Sequence, residues 1–268
     1  MYNLGLRPEG WNNEVDNIEA STIKEYIKNK ITLQGKVEEC DENYNLHIKF
    51  NNGTIGIIPR EEIEAINIQE SGIPNTKLCT GKVNKLVQFK IKDINKDNVA
   101  ILSRKDVQEE ALKTFKQNLE IGEKVTGIVK SIKPYGAFIE IGGGIVGLVH
   151  IEDISVARIK TPYERLKIGQ EVQINVKEID RQNGKINLSY KESLGTWEEN
   201  AQKFKVGMKV RGIVRETERN KNGIFIELLP NLVGMAEYKE NLQYGQDINV
   251  LIKRIDYKRK KIKLIYSC

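Results

Sequence analysis

The chain has 268 residues, 39% of them hydrophobic and 30% charged, with a mean hydropathy of −0.47; this is enough apolar content for packed cores and excludes a disordered polymer. No run nears the roughly 20 apolar residues of a membrane helix, and the opening MYNLGLRPEG lacks the apolar stretch of a secretion signal. The net charge of +6 suits polyanion partners but is equally a solubility feature. Cys40, Cys79 and Cys268 form no CxxC pair, which argues against structural zinc and a disulfide framework and for a reducing, cytoplasmic setting.

The first predicted element is a helix at about 21–30, opened by Ser21 or Thr22 as cap. Residues 1–31 otherwise carry no functional signal. Three copies of one pattern follow, spaced at the interval of a small domain rather than a solenoid unit. The first, 32–105, contains GKVEECDENYNLHIKFNNGTIGIIPREEI from Gly35 and VQFKIKDINKDNVAILSRK from Val87. A helical linker at 106–120 spaces Val107, Ala111 and Phe115 four apart. The second copy, 121–192, contains GEKVTGIVKSIKPYGAFIEIGGGIVGLVHIEDI from Gly122 and VQINVKEIDRQNGKINLSYK from Val172. A second linker, 193–203, leads from Trp197 and Ala201 to Phe204 in steps of four and three. The third copy, 204–268, contains GMKVRGIVRETERNKNGIFIELLPNLVGMAEY from Gly207 and INVLIKRIDYKRKKIKLIYS from Ile248. Each linker stripe reads as a helix face packed on a barrel, with a partner-binding helix as the alternative.

Within the middle copy Ala137, Ile139 and Ile141 alternate with Phe138 and Glu140, and Val172, Ile174 and Val176 with Gln173, Asn175 and Lys177; period two marks strands. Strands are predicted near 124–132, 135–141, 146–150, 171–180 and 185–190, with a turn at Gly142-Gly143-Gly144 and a helical turn within 151–168. Five short strands suit a closed barrel of the OB type better than a sandwich. The fold expected is all-β: three tandem five-stranded OB barrels joined by short helices, after a short N-terminal helical segment. Charge is uneven between the copies. Residues 32–112 hold 11 basic and 13 acidic side chains, 121–192 hold 11 and 9, and 204–268 hold 14 and 7.

Gly127-x-Val129, Tyr135-Gly136-Ala137-Phe138-Ile139-Glu140, Gly147-Leu148-Val149-His150, Ile179-Asp180 and Ile186-x-Leu188-Ser189 together resemble the S1 RNA-binding domain. Residues 121–192 resemble it along their whole length, 204–268 and 32–105 in degenerate form. Ile101-Leu102-Ser103-Arg104-Lys105 resembles the junction after the first repeat of bacterial ribosomal S1 proteins. The resemblance implies an OB fold, binding of single-stranded RNA and a role around translation or RNA turnover.

Phe138 falls on the polar phase of its strand and is expected outside the barrel. Tyr135 lies three residues earlier, across a Gly-Ala kink that can bring both rings to one face as a stacking platform. His150, ending the third strand, could stack or donate to phosphate. The resemblance places RNA contacts on these same three positions and adds Asp180 and Lys185; Lys130 and Lys133 are nearby candidates for neutralising phosphate. The alternatives are a ring cluster packed on a neighbouring barrel, a His150 that only caps its strand, and an Asp180 that only shapes the turn Arg181-Gln182-Asn183-Gly184. In the third copy Phe225 takes the place of Phe138, Asp256 that of Asp180 and Lys261 that of Lys185, while Asn222 and Glu237 replace Tyr135 and His150. The run Lys258-Arg259-Lys260-Lys261 is a candidate phosphate surface, or else a solvated face. In the first copy Tyr44 and His47 align with the two rings, but Pro59 and Asn95 replace His150 and Asp180, and the acidic balance points to a protein partner such as the small ribosomal subunit.

An enzyme is disfavoured: there are two histidines, and no metal-ligand cluster, P-loop or nucleophile elbow. No cofactor and no metal are expected. The reading is a monomeric, cytoplasmic, non-catalytic binder of single-stranded RNA or mRNA in the translation apparatus. The sequence does not separate it from a regulator or scaffold of RNA decay or transcription.

Overall fold

The structure, a computed structural model, describes residues 6–16, 18, 21–50, 53–66, 72–97, 99–182, 184–216 and 223–267. It contains three closed five-stranded barrels. The first is built from β1 (Leu33–Cys40), β2 (Leu46–Lys49), β3 (Ile55–Ile58), β4 (Leu86–Ile94) and β5 (Ala100–Ser103). The second has β6 (Lys124–Lys133), β7 (Gly136–Gly142), β8 (Ile145–His150), β9 (Glu171–Asp180) and β10 (Lys185–Ser189). The third has β11 (Lys209–Glu216), β12 (Ile224–Leu229), β13 (Leu232–Ala236), β14 (Asp247–Asp256) and β15 (Lys261–Tyr266). In each the first strand pairs with the second and the fourth, and the third lies parallel to the fifth. This is the OB order, and closure leaves no sheet edge to protect.

Each alternating strand sends its aliphatic phase inward: Val125, Val129, Ala137, Ile139, Val149, Ile174 and Leu188 fill the middle core. Closing so small a barrel needs sharp bends, and the same two bulges supply them in every copy. One lies in the first strand, at Val37/Glu39, Val129/Ser131 and Val214/Glu216; the other lies in the fourth-to-fifth pairing. Gly127 faces inward where β6 crosses β7, and a Cβ there would sit 2.5 Å from Ile139 and 2.8 Å from the Glu140 carbonyl. Gly35 and Gly212 hold the same place in the outer barrels.

Four α-helices are present among the described residues: α1 (Ile23–Asn29), α2 (Thr76–Thr80), α3 (Lys105–Asn118) and α4 (Trp197–Ala201). Thr22 stands at the N-cap position of α1 and makes no side-chain capping bond. The stripe of α3 packs on the barrel that follows, with Ala111 and Phe115 inside the middle core. Ala201, Trp197 and Phe204 likewise pack with the third core. The 151–168 segment holds two 3-10 turns, Ile151–Asp153 and Pro162–Glu164.

The N-terminal segment, silent in sequence, supplies the centre of the first junction. Glu9 is 4% exposed and lies between the first two barrels. Its carboxylate accepts from Arg104 Nε at 2.6 Å and Nη2 at 3.0 Å, and from the Gln88 amide at 3.1 Å. Its amide donates to Glu140 Oε1 at 2.7 Å, and its carbonyl accepts from Lys130 Nζ at 2.7 Å. Arg104 also pairs with Glu64, and Lys130 with Glu140 at 2.9 Å. The triple glycine is therefore more than a turn: Gly143 donates to the Arg7 carbonyl, and a Cβ on it would lie 2.5 Å from that of Ala111.

The second junction repeats the device. Glu227 on β12 pairs with Arg215 of its own barrel and, at 2.6 Å, with Arg165 of the middle barrel. Arg215 reaches back to Glu164 at 2.5 Å, and the Tyr244 hydroxyl joins Glu164 at 3.0 Å. The 151–168 segment is stitched to barrel three by Val156 N to Asn231 Oδ1 at 3.1 Å and Ala157 N to the Pro230 carbonyl at 3.0 Å.

Burial raises the Glu9 carboxyl, but Arg104 and Lys82 outweigh it and hold the group at about 2, below its ordinary 4.5. A depressed carboxyl gives stability that is complete above about 4.5 and is lost as pH falls toward 2. Glu140 is pushed upward by burial and by Glu9, so it takes up its proton first. The Glu9 contribution to the first junction is accordingly expected to persist in mild acid and to be lost only below about pH 4.5, read by hydrogen exchange at the Gln88 amide that Glu9 holds. Arg104→Ala strands buried carboxylates and is expected to cost about 3–5 kcal/mol in denaturant unfolding of the first two barrels.

Candidate nucleic-acid interface

The middle barrel brings its predicted ring pair together. Tyr135 lies in the β6–β7 turn, 50% exposed, and its ring meets that of Phe138 edge-on at 6.2 Å and 85°. Phe138 is half-buried rather than fully outside, flanked in register by Ser131 and Leu148 and covered at one edge by Tyr135. His150 stands opposite Gly136, with its side chain 48% exposed and Nδ1 3.4 Å from the Glu152 amide. The strand-end cap and an outward imidazole therefore coexist. Phe138, Leu148 and His150 share one face, because Leu148 and His150 are two apart on β8 and Phe138 pairs with Leu148.

The same face continues onto residues that sequence reading missed. Leu148 is the register partner of Asn187, and Asn187 of Glu178, to which its amide donates at 2.9 Å. A row thus runs Ser131, Phe138, Leu148, Asn187, Glu178 across the sheet. Only the barrel's pairing reveals it, since its members come from five strands. One step along, Lys185 is exposed opposite Asp180, whose Oδ1 accepts from the Gln182 amide at 3.1 Å. Lys133 is exposed at the end of β6.

Lys130 is engaged at the first junction. Its ammonium meets the Glu140 carboxylate and the Glu9 carbonyl, because it occupies the β6 bulge that faces that junction. It serves there as an inter-barrel cation.

In the third barrel the same register places Glu216, Phe225, Met235, Lys263 and Arg254 in the equivalent row. Phe225 is 41% and Met235 44% exposed. Where the middle barrel carries Asn187 and Glu178, this one carries two cations. Arg254 is 3.3 Å from Asp256, Lys263 is 3.9 Å from Glu237, and the Asp256 carboxylate accepts from the Arg259 amide. Within the basic turn Lys258, Arg259, Lys260 and Lys261 are all exposed, and Lys260 is also paired at 2.8 Å with Glu198 of α4. Asn222 lies outside the described residues.

The first barrel lacks the platform. Its row reads Glu39, His47, Ile57, Ile101, Asp93. His47 is bound to Asp41 at 3.1 Å, and Tyr44 lies under the Arg60 guanidinium at 5.0 Å. Burial would raise the Asp41 carboxyl, but bonds from His47, Asn45 and Asn43 override it and hold the group at about 2. Among the described residues no cluster of His, Cys, Asp and Glu is arranged to hold a metal ion, and no helix is long and apolar enough to cross a membrane.

Residues 118–191 match the family model of the S1 RNA binding domain. With its middle barrel so matched and its outer barrels of the same topology, the chain belongs to the S1-domain proteins. Along most of its length it is similar to small ribosomal subunit protein bS1. That of Staphylococcus aureus strain MRSA252 is 29% identical over 261 residues, covering 91% of this chain and 63% of its own. That of Rhizobium meliloti strain 1021 is 30% identical over 231 residues, covering 79% of this chain and 39% of its own. The chain therefore spans less than two thirds of the length of these relatives. Among solved structures, GSP13 from Bacillus subtilis is 37% identical over 28% of this chain and 58% of its own, with a TM-score of 0.28.

The two kinds of cation separate experimentally. Lys130→Gln is expected to lower the unfolding midpoint, since it strands Glu140 beside Glu9, and to leave the salt dependence of oligonucleotide binding unchanged. A flattened salt slope with wild-type stability would return Lys130 to the interface.

Proposed function

We propose that the chain is a non-catalytic single-stranded RNA-binding protein of the translation apparatus, acting in the manner its likeness to protein bS1 suggests. The carrying observation is the Tyr135–Phe138 pair, held edge-on beside His150 on one face of a matched S1 domain. Bases stack on such rings whatever their identity. The middle barrel supplies stacking through Tyr135 and Phe138, with His150, Asp180, Lys185 and Lys133 around them. The third supplies phosphate contacts through Lys258, Arg259, Lys260 and Lys261, with Phe225 as its ring. The first barrel, without the ring pair and with Glu39 and Asp93 in the row that carries Phe138 in the middle barrel, docks on protein, and the small ribosomal subunit is the partner that fits the likeness. The protein acts in the cytoplasm as a monomer.

Phe138→Ala is expected to cost about 1–3 kcal/mol of oligonucleotide affinity at every salt concentration. Replacing Lys258, Arg259 and Lys261 with Gln should instead flatten the salt dependence, whose log–log slope is about −0.7 per neutralised phosphate. Fluorescence titrations over a salt series read both. An unchanged slope in the triple variant would make the basic turn a solvated surface, and wild-type affinity for Phe138→Ala would remove the stacking role. Co-sedimentation with small ribosomal subunits, lost on removal of the first barrel's charges, tests the ribosomal assignment.

A further inference from the structure

A groove of about 770 Å³ opens where barrels two and three meet. Phe225 and Met235 give it an apolar strip on barrel three, and Arg254, Lys261 and Lys263 line it from the same barrel. Its other wall comes from barrel two: Val156 and Arg158, on the segment that begins directly after His150. These two reach the groove because the segment is fastened to barrel three through Asn231 and the Pro230 carbonyl, and through the Glu164–Arg215 and Arg165–Glu227 pairs. Among the described lining residues seven are cationic and one, Asp256, is acidic. The apolar strip flanked by cations matches a nucleotide's base and phosphate, and the volume is that of a small-ligand site. An acidic peptide would use the cations but leave the Phe225–Met235 strip without a planar partner.

Resting on the single-stranded RNA reading above, we propose that the groove is a composite nucleotide site shared by two barrels. A base lies against Phe225 and Met235, and Arg158, delivered by barrel two, holds a phosphate of the same strand together with Lys263 and Arg254. A strand leaving the Tyr135–Phe138 platform past His150 then follows the segment that carries Arg158 into barrel three. The two barrels read one continuous strand in a fixed register instead of acting as independent beads.

The test uses the full chain and a labelled oligouridine of about 16 nucleotides, the upper site size of one OB fold. Arg158→Gln is expected to weaken binding about tenfold, the loss of one hydrogen bond to a charged group. It should also reduce the salt slope by about 0.7, one phosphate's worth. Arg158→Lys should keep the slope. In a Phe225→Ala background the Arg158→Gln loss should shrink, because both residues hold the same nucleotide. If Phe225→Ala weakens binding while Arg158→Gln leaves affinity and slope at wild type, the site belongs to barrel three alone and the composite is wrong, with the RNA reading intact. Wild-type binding by Phe138→Ala, Phe225→Ala and Arg158→Gln alike would bring down the RNA reading and the groove with it. Displacement of the oligonucleotide by polyglutamate as effective as by unlabelled RNA would reduce the groove to a generic polyanion surface.

Discussion

A buried carboxylate near the end of the second strand governs how this chain is assembled. Glu140 and Glu227 occupy that position in barrels two and three, 1% and 5% exposed. Each is met by the cation in the first-strand bulge of its own barrel, Lys130 or Arg215. A buried charge is tolerable only when paired and hydrogen-bonded. Glu140 Oε1 also accepts from Gly144 of its own barrel and from the Glu9 amide, and Glu227 Oε2 takes Arg165 of the middle barrel beside Arg215. Satisfying one buried side chain thus ties each of these barrels to the part of the chain that precedes it. In barrel one the corresponding charges are reversed, with Glu38 in the bulge and Lys49 on β2, and both are exposed. That end of the molecule carries no such anchor.

Because the barrels share register as well as topology, one row of side chains can be followed through all three. It passes from Glu39, His47 and Asp93, through Phe138, Asn187 and Glu178, to Phe225, Lys263 and Arg254. The scaffold beneath is constant; what changes is whether the surface repels a phosphate, offers a ring, or offers a ring with cations. Ring stacking tolerates any base, while phosphate contact contributes affinity that salt screens. A chain that divides these tasks between adjacent barrels gains most when the barrels are held in place, since ordering is then complete before the ligand arrives.

The alternation of Ala137, Ile139 and Ile141 against Phe138 and Glu140 was enough to determine strands, and the recurrence of the pattern determined three barrels, because period-two patterning and turn glycines are local properties of the chain. The ring pair was legible for the same reason: Tyr135 and Phe138 are three residues apart, and a hydrophobic ring on a polar phase is visible without coordinates. What only tertiary structure decided involves residues far apart in sequence. Glu9 carried no pattern and Arg104 only the resemblance of its stretch to an inter-repeat junction, yet they meet between two barrels. Lys130 gave no sign in the sequence of the β6 bulge that turns it toward Glu140. Leu148, Asn187 and Arg158 joined the surface only through strand pairing and inter-barrel docking. Alternation says which side of a strand a residue takes, but the partner a charged side chain finds is set by the packing of whole barrels, where burial makes an unpaired charge too costly to leave alone.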